Sequence, residues 1–381
     1  MRYIEAQVIK DLNKKMVWVG GPRQCGKTHL ANSILHSHFK NGEYLNWDRD
    51  KDRLKILKEG WNPSSDLIVF DEIHKYPKWK SLLKGYYDTF KAQHQFLVTG
   101  SSRLDTFKKG GDSLLGRYHY WRLHPFTISE PVKKIKPEES LKRLLTFGGF
   151  PEPFLDGNET ESQRWRQERL DRIVKDDIRD LENIKDIESM KILLDLLRDR
   201  VGGPIVVSNL AEDLKKSPIT VAKWIDLFEK MYLIFRILPH SKNVARSLEK
   251  PAKIYFFDNA DVTNGEGARF ENLVATHILK KLHFDNDRLG RKLELKYIRD
   301  KEKREVDFAI VEGQKLLSLI EVKLSDEKAS PSLIHFAEKL KPHSASQIVL
   351  NLKRSYKTNS LQITQALESP WLTDLEFSIQ K

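Results

Sequence analysis

Eight residues constrain this chain more than any others. Gly21-Pro22-Arg23-Gln24-Cys25-Gly26-Lys27-Thr28 follows an apolar run, Met16 to Gly20. It precedes a helical pattern with Leu30, Ala31, Ile34 and Leu35 on one face. The spacing is G-x-x-x-x-G-K-S/T, in the order strand, loop, helix. Glycines let backbone N–H groups turn inward around phosphate oxygens, and the helix N-terminus adds the positive end of its dipole. In such a loop a lysine, here Lys27, charges the β- and γ-phosphate site, and Thr28 offers a hydroxyl to Mg2+. All eight residues, Gly21 to Thr28, form the expected cradle for a nucleotide.

Two further strands extend the reading. Leu67 to Phe70 is apolar throughout and ends in Asp71-Glu72. Strands covered on both faces of a parallel sheet read this way, and their C-terminal ends are where open α/β sheets bind ligands. Asp71 is expected to hold Mg2+, mostly through water, and Glu72 to orient or deprotonate the attacking water. Gln95 to Val98 is the third strand and ends in Thr99-Gly100-Ser101-Ser102, with Thr99 placed to sense a γ-phosphate. Arg117, beyond a Gly-rich segment (Lys109 to Asp112), is expected to meet a γ-phosphate of its own chain or a neighbour's. Arg23 reads as a scaffold or partner contact, and His74 as a packed or solvent-facing histidine. ATP is favoured over GTP, because no Asn/Thr-Lys-x-Asp guanine-reading pattern is present.

At 381 residues the chain is too long for one ordinary core, so two or three domains are expected. The net charge of +12 favours a polyanionic partner, with nucleic acid first. A single cysteine excludes an intrachain disulfide framework and a cysteine-based zinc site. No apolar run approaches the roughly 20 residues that span a bilayer, and the N-terminus lacks the apolar stretch of a signal peptide. A cytosolic protein without membrane contact is the expectation.

Past Pro125, Pro131 and Pro137 the pattern turns helical to about residue 200. Ser208 to Leu214 reads as a short helix capped by its serine, and Ser217-Pro218 opens a second. Strands over Met231 to Leu238 and Lys253 to Phe257 complete a winged helix, with Thr220 and Lys223 at the reading end of the second helix.

The C-terminal third carries another polar constellation. A helix over Gly267 to Leu282 bears Glu271. Strands over Leu293 to Ile298, Glu305 to Val311 and Leu316 to Leu324 follow, and strand periodicity puts Asp307, Glu321 and Lys323 on one polar face. Paired carboxylates bind Mg2+, and a nearby lysine activates water. Glu271, Asp307 and Glu321 are the expected metal ligands and Lys323 the catalytic lysine. The basic loop Arg299 to Arg304 is the expected phosphate grip. A last strand over Gln347 to Leu352 is followed by a polar tail without a motif.

Taken together, these stretches resemble a group of prokaryotic proteins. The group combines an AAA-type ATPase of the signal-transduction branch, a winged helix and a C-terminal PD-(D/E)XK nuclease-like domain. The resemblance rests on Gly21 to Thr28, Val69 to Ile73, Leu97 to Ser102, Leu115 to Arg117, Leu123 to Phe126, Gly148 to Pro153, Phe270 to Asn272, Glu305 to Asp307 and Ile320 to Lys323. It implies ATP and Mg2+ as cofactors. The expected fold is α/β: a P-loop NTPase parallel sheet over residues 1–130, a helical and winged-helix region over 131–260, and a restriction-endonuclease-like α/β domain over 261–381. The expected function is an ATPase coupled to nucleic-acid binding or processing, DNA first, with a homo-oligomer possible. The alternative is an ATP-gated switch for a protein partner, with a non-catalytic C-terminal scaffold.

Overall fold

The computed structural model describes residues 2–100, 114–130, 132, 135–174, 186–241, 251–325, 328–358 and 361–379. Ser101, Ser102 and the Gly-rich segment Lys109 to Asp112 lie outside these. The chain divides into two compact units, Met1–His124 and Pro125–Lys381.

The first unit is built on five parallel strands: β1 (Met16–Gly20), β2 (Gly42–Asn46), β3 (Leu67–Asp71), β4 (Gln95–Gly100) and β5 (Tyr118–Arg122). Their order is β2-β3-β4-β1-β5. Every residue of β1 and β3 is buried, as expected of strands covered on both faces. On one face Trp18, Phe70 and Val98 pack with Trp79, Leu83 and Tyr86 of the helix Trp79–Phe90. The helix Lys27–His38 buries Leu30, Ala31, Ile34 and Leu35. The register pairs Gly20 with Gly100, Thr99 with Asp71, and Asp71 with Asn46. Four strand ends therefore reach the same edge of the sheet. β5 was not anticipated, because Tyr118-His119-Tyr120-Trp121-Arg122 lacks the aliphatic run that marks its neighbours.

The second unit begins with the helices Pro137–Phe147, Pro151–Asp156, Glu159–Arg172 and Ile187–Arg198. A two-residue strand β6 (Pro204–Ile205) and the helices Val207–Asp213 and Pro218–Lys230 follow. Ser208 does not cap the first of these, whose N-cap residue is Val206 with no side-chain bond. Ser217 caps the second, its side chain accepting the Thr220 N–H. Strands β7 (Ile234–Pro239) and β8 (Ala252–Phe256) pair antiparallel, and β6 adds to β8.

The 25-residue helix Gly265–Leu289 leads into β9 (Leu293–Arg299), β10 (Glu305–Glu312) and β11 (Lys315–Lys323), an antiparallel meander. After the helix Pro331–Leu340 come β12 (Ser344–Val349), β13 (Tyr356–Thr358) and β14 (Leu361–Gln365). The tail expected to carry no motif thus holds two more strands, and β14 lies parallel to β12. Nine strands form one sheet in the order β13-β14-β12-β11-β10-β9-β7-β8-β6. β7 pairs with β9, so the segments expected as separate middle and C-terminal domains share a sheet. They also share a core, in which Val221 and Phe228 join Phe270, Leu273, Phe308 and Ile320. A second apolar layer lies around Leu333, Phe336, Leu319 and Ile363.

Candidate functional site

The loop after β1 is shaped by two glycines. Gly21 has φ +152°, and a Cβ there would lie 2.2 Å from the Leu123 carbonyl oxygen. Gly26 has φ +94° at the start of the helix Lys27–His38, a left-handed backbone that glycine adopts without cost. Pro22 is buried, Arg23 half-buried and Gln24 exposed with φ +61°. Cys25 is fully buried, its Sγ 3.5 Å from the Leu123 carbonyl oxygen. Arg2 braces the loop from behind, donating to the Cys25 carbonyl at 2.6 Å and the His124 carbonyl at 2.5 Å.

Lys27 is buried, and its Nζ donates to the carbonyls of Gly21 (3.0 Å) and Pro22 (2.7 Å). These are carbonyls of its own loop, so the charge already sits inside the cradle. Asp71 collects three hydroxyls. Thr28 Oγ1 donates to Oδ2 at 2.8 Å, Tyr44 Oη to Oδ2 at 2.5 Å, and Thr99 Oγ1 to Oδ1 at 2.5 Å. Thr28 and Thr99 thus meet at Asp71, and Lys27 stands one residue before Thr28 on the same helix. A hydroxyl and a carboxylate in mutual contact, beside a phosphate loop, suit a hard cation that completes its shell with phosphate and water oxygens. The residues present fit Mg2+. Tyr44 is the partner that sequence reasoning missed. Burial, followed by the Asp71 carboxylate, pushes its phenol well above the usual value.

Glu72 follows β3 with φ +56°, and its N–H donates to the Thr99 carbonyl at 3.0 Å. Its carboxyl is largely buried. Burial raises its pKa, against the opposing pull of Lys27. The nearest imidazole is His74, with Nε2 3.4 Å from Glu72 Oε2. Burial, then Lys75, lowers the His74 pKa to about 3, so the ring is neutral near pH 7.

Arg117 needs correction. It stands just before β5, whose Tyr118 pairs with Met16 and whose Arg122 pairs with Gly20. The phosphate loop follows Gly20, so Arg117 is at the opposite edge of the sheet, about 17 Å away along the strand. Its guanidinium forks onto Asp88, at 2.8 and 3.0 Å. It cannot serve its own γ-phosphate. Only the neighbour's phosphate remains of that expectation.

In the second unit, Glu271, Asp307 and Glu321 do approach one another. Burial and then Asp307 raise the pKa of both Glu271 and Glu321 to about 7. Their partners are not those expected. Lys253, on β8, has a side chain 1% exposed. Its Nζ lies 2.6 Å from Glu305 Oε1, 3.6 Å from Glu271 Oε1 and 3.7 Å from Asp307 Oδ1. Tyr255 donates to Glu271 Oε1 at 2.7 Å. Asp307 Oδ2 accepts the Val322 N–H at 2.9 Å. Lys323 pairs with Glu321 at 2.9 Å, which leaves Glu321 Oε2 buried without a hydrogen-bond partner.

One bare oxygen is not a metal site. Among the described residues no three His, Cys, Asp or Glu side chains come together so as to hold a metal ion. The donor set expected from Glu271, Asp307 and Glu321 does not fit one. The basic loop is also partly spent on itself: Arg299 pairs with Glu305 and Arg304 with Asp300 and Glu302. Lys301 and Lys303 are exposed.

Comparison with known proteins bears on each part. Residues 13–132 match the AAA domain family. Residues 138–262 and 266–371 match two domains of unknown function, DUF8612 and DUF4143. The chain is 24% identical to an uncharacterized protein of Methanocaldococcus jannaschii, over 90% of this chain and 83% of that one. It is 26% identical to an uncharacterized protein of Haemophilus influenzae, over 69% and 74%. Among solved structures, the RuvB Holliday junction branch migration motor of Thermotoga maritima is 19% identical over 61% of this chain and 88% of that one, at a TM-score of 0.33. At that score the likeness carries no argument. The AAA match and the loop geometry make the first unit an AAA-type P-loop ATPase domain. No helix among the described residues is long and apolar enough to cross a membrane.

Proposed function

We propose that this chain hydrolyses ATP and couples its nucleotide state to nucleic acid, DNA first, through the second unit. The convergence of Thr28 and Thr99 on Asp71, beside Lys27 and Glu72, carries the catalytic half. Lys27 exchanges its loop carbonyls for β- and γ-phosphate oxygens. Thr28 and Asp71 hold Mg2+, which when bound neutralises charge on the phosphoryl oxygens. Glu72 accepts a proton from the water that attacks the γ-phosphorus, while the bond to the β-phosphate oxygen breaks. Thr99 reports the γ-phosphate to Asp71 and to the Glu72 backbone.

The coupling half is supported by the net charge of +12 and by the exposed start of the helix Pro218–Lys230, where Lys223 faces solvent. We read the segment from Ile187 to Phe256 as a winged helix and the strands beyond it as a nuclease-like fold used for binding. The test is ATPase activity with and without single- and double-stranded DNA at two salt concentrations. Stimulation that weakens with salt supports the reading, because phosphate contacts release counterions.

One observation favours a protein partner instead: Ile219, beside Thr220 at that helix start, is 70% exposed. DNA-independent turnover, with a stable protein partner recovered, decides for an ATP-gated switch.

A further inference from the structure

The acidic cluster of the second unit already contains a cation. Lys253 reaches it from β8, a strand the sequence pattern assigns to the segment before the cluster. Three carboxylates surround its Nζ: Glu305 at 2.6 Å, Glu271 at 3.6 Å and Asp307 at 3.7 Å. Its aliphatic stem is enclosed, and the ammonium also lies 5.5 Å from the centre of the Tyr297 ring. An ammonium has three N–H donors, enough to serve all three acids.

A divalent ion in this cluster would need carboxylate oxygens within about 2.0–2.6 Å. The ammonium stands among the oxygens that would have to close in. Adding a second cation next to it, at low dielectric, is strongly repulsive. Lys253 is held inside the sheet: its side chain is almost fully buried and its strand is paired on both sides, with β6 and with β7.

We propose that Lys253 is the resident counter-ion of this cluster and replaces a divalent metal there. The second unit then binds its partner without metal and does not cleave phosphodiester bonds. The inference concerns the second unit alone and stands or falls independently of ATP turnover.

The test is Mn2+ titration of the nucleotide-free full chain, read by calorimetry and by thermal unfolding, on wild type, Asp307→Asn, Lys253→Met and Lys253→Met/Asp307→Asn. Wild type and Asp307→Asn should behave alike. Lys253→Met should gain one bound Mn2+ and a metal-dependent rise in unfolding temperature, both lost in the double variant. An Mn2+ bound by wild type and lost in Asp307→Asn overturns the proposal. A folded Lys253→Met protein that gains no ion also overturns it. Should Lys253→Met fail to fold, the native pair still decides, together with incubation of linear and single-stranded DNA and RNA in Mn2+. Cleavage by wild type that disappears in Asp307→Asn refutes the proposal, and its absence upholds it.

Discussion

Thr28 on the helix after the phosphate loop and Asp71 at the end of β3 are joined by a 2.8 Å hydrogen bond, although β4 lies between β1 and β3 in the sheet. The bond ties the phosphate contact to the acidic pair and separates two roles. Lys27→Ala should weaken ATP binding by about 10- to 100-fold, the worth of a charged hydrogen bond. Glu72→Gln should keep ATP affinity and lose about 100-fold or more in turnover, the usual contribution of a general base. Equilibrium nucleotide binding and single-turnover hydrolysis measure the two separately. Wild-type turnover by Glu72→Gln would remove that residue from catalysis.

The position of Arg117 at the far edge of the sheet has its own consequence. Arg117→Ala should leave ATP affinity and the turnover of dilute protein unchanged. A contact with a neighbour's phosphate would appear only as a loss that grows with protein concentration, and as partial rescue on mixing with Lys27→Ala protein. Loss of turnover in isolated monomers would contradict the placement.

Cys25 lies in the phosphate loop yet is closed off beneath it. Thiol alkylation of the native protein should be slow with or without ATP, and should become fast only in denaturant. Rapid native labelling that ATP suppresses would show the thiol facing the nucleotide instead.

Acidity should stabilise the second unit. Glu271 and Glu321 have folded pKa values near 7 through burial and Asp307, above the ordinary glutamate value of 4.5. Between those limits the folded chain holds more protons than the unfolded one, so stability falls as pH rises from about 4.5 to 7. Thermal unfolding at pH 5 and pH 7.5 should show a lower midpoint at the higher pH for this unit. Glu321→Gln should flatten the difference. A midpoint that rises over this range would mean the carboxyls are ionised at low pH.

Much of the first unit was legible because its chemistry is consecutive. The loop from Gly21 to Thr28 and the strand ending in Asp71-Glu72 each carry their signal within a few residues. What escaped depends on pairing between distant strands. Tyr44 belongs to a strand whose residues are only partly buried, and nothing local says that its hydroxyl ends at Asp71. Arg117 was placed by its distance along the chain from β4, whereas β5 runs parallel to β1 and starts at the opposite edge. Alternation along β10 and β11 correctly grouped Asp307, Glu321 and Lys323. It could not reveal Lys253, which enters from an element 54 residues before Asp307. Nor does anything local to Phe150 announce that Arg169 would stack on its ring, 3.9 Å from the centre.

The pairing of Leu238 with Lys296 and of Pro239 with Tyr297 has a practical meaning for anyone dividing this protein. A cut near residue 260, where sequence alone suggests a boundary, would strip β9 of its neighbour and bare a row of N–H and C=O groups. Such a bare strand is a template for other chains. A fragment starting there would aggregate or reclaim its missing neighbour from added N-terminal fragment. The compact unit that holds the whole sheet starts at Pro125.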